Sequence, residues 1–304
     1  MGAFSGPKEW GRLLTAMITP FNAAGGVDYD EAARLASHLV DHQKNDGLII
    51  CGTTGEAPTL THEEKLRLLE VSLEAVGDRA AIVFGAGTYN TAESIEMSRA
   101  AEKRGAHGIL AVNPYYNRPG QEGLEAHFRA MAGATGLPVM LYNIQPRSSI
   151  NLETPTLLRL AEVPNIVAVK EASGMIGQIG DVCRLAPEGF RVYSGDDGLT
   201  LPILSLGGHG LVSVVAHVVG AELAEMIAVF ERDPVRSRAI HRRLSDCFKV
   251  MFANPSPVPI KYAVSLVGLG SEAVRLPLVT LNDQAKAGVK KVLASLGKLA
   301  AAAV

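Results

Sequence analysis

Lys170 stands at the end of an apolar run, Ile166-Val167-Ala168-Val169, where a side chain leaving a barrel interior would carry its amine into a site. Such surroundings disfavour the ammonium form and lower the pKa. A neutral amine is what Schiff-base formation needs. Alternatively, Lys170 reaches water at the strand end and pairs with Glu171. Tyr142 ends a second apolar run, Pro138-Val139-Met140-Leu141, and its phenol could relay protons to an imine carbon or a carbinolamine oxygen; the other reading is a core tyrosine with a satisfied hydroxyl. Thr53 and Thr54 lie between Gly52 and Gly55, which permit close backbone approach. Hydroxyls and N–H groups near a helix start can hold a carboxylate, although a plain Gly-Thr turn also fits. His38 and His42 have i, i+4 spacing, which suits a metal only if a carboxylate joins them. They read as a solvated helix face, and no metal centre is expected.

The elements that must position these groups form a repeated pattern. Eight short apolar runs, Leu13 to Ile18, Gly47 to Cys51, Ala80 to Phe84, Gly108 to Val112, Pro138 to Tyr142, Ile166 to Lys170, Phe190 to Ser194 and Gly210 to Val214, are each followed by a segment with helical periodicity. This alternation is the signature of a parallel α/β fold. The runs are near-continuous rather than alternating, as in strands covered on both faces. Helix starts are marked by Asp28, by the Thr61-x-x-Glu64 capping box and by Asn90. The expected fold is a (β/α)₈ TIM barrel over residues 1–230, catalytic, with a C-terminal helical region over 231–304. Its helices are predicted near Pro234 to Phe252, Pro259 to Gly268 and Asn282 to Leu296, and the Ala300 to Val304 tail is expected to fray. A doubly wound sheet is the competing architecture. Its dinucleotide form needs a glycine-rich turn, and Gly85-Ala86-Gly87 lacks the third glycine. In a barrel the active site lies at the carboxyl ends of the strands. There the chain places Gly52-Thr53-Thr54-Gly55-Glu56, Asn113-Pro114-Tyr115-Tyr116, Tyr142-Asn143, Lys170-Glu171 and Ser194-Gly195-Asp196-Asp197. This convergence favours the catalytic reading of Lys170.

Bulk properties narrow the function further. The 304 residues are 47% hydrophobic and 20% charged, with a formal net charge of -2 and both signs interspersed. That balance offers no footprint for nucleic acid or an anionic membrane. No apolar run reaches the roughly 18 residues of a membrane span, and the Met1 to Lys8 segment has no apolar signal core. Cys51, Cys183 and Cys247 have neither a disulfide pattern nor zinc spacing. A cytoplasmic protein acting on small molecules is expected.

The strand-end motifs, with Tyr116-Asn117-Arg118-Pro119, Leu141-Tyr142-Asn143, Val169-Lys170-Glu171-Ala172, Gly207-Gly208-His209-Gly210 and Asn254-Pro255-Ser256-Pro257-Val258-Pro259-Ile260-Lys261, resemble the dihydrodipicolinate synthase family, class I aldolases of the N-acetylneuraminate lyase superfamily. The likeness runs in unbroken order from about Leu14 to Leu296. It implies a lyase in which Lys170 forms an imine with pyruvate and Tyr142 shuttles protons with Thr53 and Tyr116, the last from a neighbouring subunit. Thr54 would bind the pyruvate carboxylate, Arg147 would grip the carboxylate of L-aspartate 4-semialdehyde, and the Gly195 and Val212 backbones would line the site. The resemblance also implies a homotetramer built as a dimer of dimers, no organic cofactor, and a place at the entry to diaminopimelate and lysine biosynthesis. A sister aldolase or dehydratase acting on a 4-hydroxy-2-oxo acid or a deoxy-keto sugar acid is the alternative.

Two departures from the family pattern stand out. The chain reads Asn143-Ile144-Gln145-Pro146-Arg147-Ser148-Ser149 where the family has Val-Pro, a small residue and Arg-Thr-Gly. The shifted proline and Ser149 in place of glycine change the permitted backbone angles, and with them the placement of Arg147. In lysine-inhibited relatives an interface site corresponds to Ala57, Pro58, His62, Lys65, Tyr89, Glu93 and Tyr115. Lys65 puts a cation where one sensitive subgroup has histidine, and Tyr89 replaces an asparagine. Weak or absent lysine inhibition is expected.

Overall fold

The computed structural model describes residues 8–299; the Met1 to Pro7 stretch and the Ala300 to Val304 tail considered above lie outside the described residues. Eight strands hydrogen-bond in chain order and close into a barrel. They are β1 (Leu13–Ala16), β2 (Gly47–Ile50), β3 (Ala81–Gly85), β4 (Gly108–Val112), β5 (Val139–Asn143), β6 (Ile166–Glu171), β7 (Arg191–Ser194) and β8 (Gly210–Ser213). Each coincides with one of the eight apolar runs to within two residues at either end. The closed order excludes the doubly wound alternative. β1, β2, β5, β6 and β8 are buried along their whole length, which is why their sequences are apolar without alternation.

The helices are α1 (Tyr29–Asp41), α2 (His62–Val76), α3 (Thr91–Lys103), α4 (Gln121–Ala132), α5 (Gln145–Ser148), α6 (Thr154–Ala161), α7 (Ile176–Leu185), α8 (Thr200–Ser205), α9 (Ala216–Val229), α10 (Pro234–Phe252), α11 (Val258–Leu266) and α12 (Asp283–Ser295). Their starts follow the capping signals. Asp28 accepts from Glu31 N, Thr61 and Glu64 form a reciprocal box, and Asn90 accepts from Ala92 N and Glu93 N. Each such cap is worth about 1 kcal/mol. α1 then buries Ala32, Leu35, Ala36 and Leu39, the stripe that 3.6-residue periodicity sets.

By contacts the chain forms two compact units, Met1–Arg12 with Ala81–Val212, and Leu13–Ala80 with Ser213–Val304. The boundary expected at residue 230 falls at the end of α9, and among the described residues beyond it lie α10, α11 and α12. Within the described part of the second unit, however, α10 and α11 pack with α9, α9 packs with β1, and α10, α11 and α12 pack with one another, so contacts do not set the last helices apart from the strand β1. In the first unit, Trp10 is fully buried below β4, with its indole N–H donating to His107 O at 3.0 Å. A side chain on Gly108 would collide with that indole ring. Among the described residues no helix is long and apolar enough to cross a membrane.

Candidate active site

Parallel register organises the first unit's site. Val112 pairs with Tyr142, Tyr142 with Lys170, and Lys170 with Tyr193, while Asn143 pairs with Glu171 and Glu171 with Ser194. Side chains alternate between faces along a strand, so Tyr142 and Lys170 share one face, and Asn143 and Glu171 share the other. Lys170 is 5% exposed, and its Nζ lies 4.2 Å from the centroid of the Tyr142 ring, itself buried. Burial brings the amine down to about 7; the Asp197 carboxylate pulls it upward and the Arg147 guanidinium pushes it further down. A large share of Lys170 is therefore neutral near pH 7, which a nucleophilic amine requires.

Gly195, at the end of β7, makes room for that lysine. A Cβ there would sit 3.0 Å from both Cγ and Cε of Lys170 and 2.9 Å from the Ala172 Cβ. Val212, in β8, is fully buried. Glu171 does not answer to Lys170 as the pairing alternative supposed: its two oxygens accept from Asn143 Nδ2 and Ser173 Oγ, both at 2.6 Å, on the opposite face. Burial raises the Glu171 carboxyl, and these two donors offset part of that.

The same face holds up the Arg147 loop. Leu152 N donates to Asn143 Oδ1 at 3.0 Å, and Asn113 Nδ2 donates to Asn143 Oδ1 at 3.0 Å and to Ile150 O at 3.2 Å. Pro146 falls in the first turn of α5, where its missing N–H costs nothing. Ser149 takes up the left-handed conformation, φ 58°, that glycine would adopt more easily. The altered sequence thus keeps a tight turn, fixed by asparagine hydrogen bonds rather than by a glycine. Arg147 stays exposed, close enough for its charge to act on Lys170.

Tyr116 departs from this cluster. It is 91% exposed, with φ 71° on a non-glycine backbone, a conformation rare for a bulky residue. Its neighbour Tyr115 is half-buried and stacks edge-on against Tyr89 at 5.2 Å. Burial, then Tyr89 and Glu93, raise the Tyr115 phenol.

In the second unit, Thr53 and Thr54 lie in the turn that follows β2. Gly55 N and Ala57 N donate to Gly52 O, Glu56 N donates to Thr53 O, and Thr19 Oγ1 donates to Gly55 O at 2.7 Å. A Cβ on Gly55 would stand 3.1 Å from Met17 O and 3.3 Å from the Cys51 Cα, backbone atoms that would have to give way slightly, so glycine eases the close approach there. The expected helix start is replaced by a 3₁₀ turn of three residues, Ala57–Thr59. The Gly55, Glu56 and Ala57 amides are spent inside the turn. The Thr53 and Thr54 groups are what the turn presents. Ala57 is half-buried, His62 is exposed at the start of α2, and Lys65 is 8% exposed.

His38 and His42 do share a face of α1, with ring centroids 5.2 Å apart, and His38 Nε2 lies 3.1 Å from Gln43 Nε2. Among the described residues no group of three or more His, Cys, Asp or Glu side chains could hold a metal ion. Sequence reasoning quoted Asp197, Asn143 and Glu56 without assigning them tasks. The structure gives them electrostatic or supporting ones, and their only sequence signal was position at a strand end.

Residues 9–296 match the model of the dihydrodipicolinate synthetase family. A 4-hydroxy-tetrahydrodipicolinate synthase of Moorella thermoacetica is 52% identical over 292 residues, covering 96% of this chain and 100% of the relative. The crystal structure of DHDPS from Cyanidioschyzon merolae with lysine bound superposes with a TM-score of 0.93 at 43% identity, covering 95% and 99% of the two chains. A structure described as the first monomeric dihydrodipicolinate synthase variant also gives a TM-score of 0.93, at 34% identity over 95% and 98%. The family model spans nearly the whole chain, and the strand-end lysine, tyrosine and threonine motifs all fall inside it: the chain belongs to the dihydrodipicolinate synthetase family.

Proposed function

We propose that the chain is a 4-hydroxy-tetrahydrodipicolinate synthase that condenses pyruvate with L-aspartate 4-semialdehyde. The observation that carries the reading is the buried Lys170 amine, brought down to about 7 beside Tyr142 at the end of β6. The neutral amine adds to the pyruvate ketone and water leaves, giving an imine. Loss of a methyl proton yields the enamine, whose carbon attacks the aldehyde while the aldehyde oxygen takes up a proton. The amino group of the joined product then attacks the imine carbon, closes a six-membered ring and releases Lys170. Tyr142 and Thr53 carry protons in this scheme, and Thr54 holds the pyruvate carboxylate. Arg147 takes the carboxylate of the aldehyde substrate, with the Gly195 and Val212 backbones as walls. The electrophile is made from Lys170 and substrate, so the scheme calls for no organic cofactor or metal.

Tyr116 is assigned to the relay of a neighbouring subunit in a homotetramer. Its 91% exposure and left-handed backbone support that reading, since a tyrosine held outward needs a surface to meet. A cytoplasmic setting belongs to the same proposal, supported by three cysteines that remain thiols. The lysine-site positions Lys65 and Tyr89 support weak feedback by lysine. Borohydride reduction in the presence of pyruvate, followed by peptide mass analysis, should place the adduct on Lys170; an unmodified Lys170 would sink the mechanism. A panel of aldehydes with pyruvate held constant separates the synthase from a sister aldolase or dehydratase.

A further inference from the structure

The second unit contains a buried ion pair that the scheme above does not use. Lys261, from α11, and Glu56, from the turn after β2, are 0% and 3% exposed, and Lys261 Nζ donates to Glu56 Oε1 at 2.5 Å across 205 residues of sequence. The other carboxylate oxygen, Oε2, accepts from Arg275 N at 3.0 Å. Arg275 is itself fixed: its guanidinium donates to both Glu64 oxygens at 2.6 and 2.8 Å and to Thr59 O at 2.8 Å. Lys261 Nζ and the Arg275 guanidinium carbon lie 4.0 and 4.6 Å from the centroid of the Phe21 ring.

A buried ion pair is a poor choice for stability alone, because apolar side chains of similar volume commonly do as well or better. What the charges add is direction. Glu56 has both oxygens held by donors, one of them charged, and such bonds are short and geometrically demanding. Glu56 is also a non-glycine residue in the left-handed region, φ 54°, so its backbone needs outside restraint. Its N–H closes the turn onto Thr53 O. Restraining Glu56 therefore restrains the peptide on which Thr53 and Thr54 sit.

We infer that the Lys261–Glu56–Arg275 cluster is a positioning device that fixes the Thr53-Thr54 turn for the pyruvate carboxylate, so that residues beyond the barrel strands help build the pyruvate site. The inference rests on the proposed role of Thr54. Lys261 and Glu56 touch no substrate in it; they act through the turn. A simple fold-stabilising pair would instead change the melting temperature and leave the ratio of the two substrates' KM values alone.

The test uses the full chain. Glu56→Gln with Lys261→Met removes both charges together and leaves no lone buried ion, which keeps the double variant foldable where Lys261→Met alone is at risk. Circular dichroism and a melting curve establish folding, and kcat and both KM values are then measured beside Thr54→Ala. The expected result is a folded double variant whose pyruvate KM rises about tenfold to a hundredfold while the aldehyde KM stays within about twofold, as misplacement of a positioning group predicts. Adding Thr54→Ala should cause little further loss. A folded double variant with unchanged pyruvate KM, alongside an impaired Thr54→Ala, overturns the inference. An unimpaired Thr54→Ala overturns the carboxylate assignment beneath it, which is a different failure.

Discussion

Replacing Lys170 by methionine should stabilise the protein, and the gain should shrink as pH rises. Lys170 has an ordinary pKa of 10.5 in the unfolded chain and about 7 in the fold, where burial is the main cause. Between those values the unfolded chain carries a proton that the folded one lacks, so stability rises with pH through that window. Below pH 7 both states are protonated and the cost of the buried ammonium is constant and complete; above about pH 10.5 it vanishes. At about 1.36 kcal/mol per pKa unit the full cost is roughly 5 kcal/mol, of which about 4 kcal/mol remains at pH 7 and about 2 kcal/mol at pH 9. Methionine is unbranched, close in length and does not titrate. Urea unfolding of both proteins, followed by circular dichroism without pyruvate, gives the two stabilities at pH 7 and pH 9. The expected outcome is a more stable methionine variant whose advantage falls by about 2 kcal/mol between the two pH values. Packing differences cancel in that comparison because they do not titrate. An advantage that is the same at both pH values would refute the depressed amine, and with it the physical basis for imine formation near neutrality.

The charges around Lys170 should move imine formation in opposite directions. Asp197→Asn should lower the pH at which borohydride trapping reaches half its maximum and Arg147→Gln should raise it, each by about half a unit to one unit, because Asp197 favours the ammonium and Arg147 opposes it; shifts of the same sign would contradict the arrangement. Refolding Tyr116→Phe together with Lys170→Met should restore activity in about a quarter of the sites if Tyr116 serves the neighbouring subunit across a two-fold interface. An absence of recovery would rule out service to the neighbouring subunit. L-lysine in a steady-state assay should inhibit weakly or not at all, and a micromolar inhibition constant would count against the Lys65 and Tyr89 reasoning.

The barrel was legible because each of its strands is a local event. β6 is fully buried over six residues and therefore reads as apolar residues up to Lys170, where the polarity of a site intrudes. Asp28, Thr61 with Glu64, and Asn90 each satisfy amides within three positions of themselves, so their caps could be read without tertiary information. Register then did the rest for Lys170 and Tyr142: once β5 and β6 are neighbours, two strand-end residues on the same face must meet. The turn that carries Thr53 and Thr54 was only half legible. Gly55 makes a close approach to Met17 O, as two flanking glycines suggested, while a turn that takes up the Gly55, Glu56 and Ala57 amides and leads into a 3₁₀ segment stands where a helix start was expected. A local pattern could not distinguish the two, since both begin with the same short turn.

What escaped sequence reasoning was every partner whose importance depends on distance in the chain. Glu171 beside Lys170 invited a pairing that strand alternation forbids, and its actual partner Asn143 comes from another strand. The Arg147 loop looked compromised by Ser149, because nothing near it in sequence announces that Asn113 and Asn143 will hold the returning chain. Glu56 and Lys261 each read as the last letter of a separate motif, with no sign that they meet, until the fold buried them together. Strand ends advertise the groups that react, because a polar residue there has no packing role to explain it. The groups that aim the reactive ones are buried, and burial makes them resemble core until their partners are known. A buried charge with its counter-charge on a distant element is therefore the feature to seek in this fold when asking what sets the geometry of a strand-end residue.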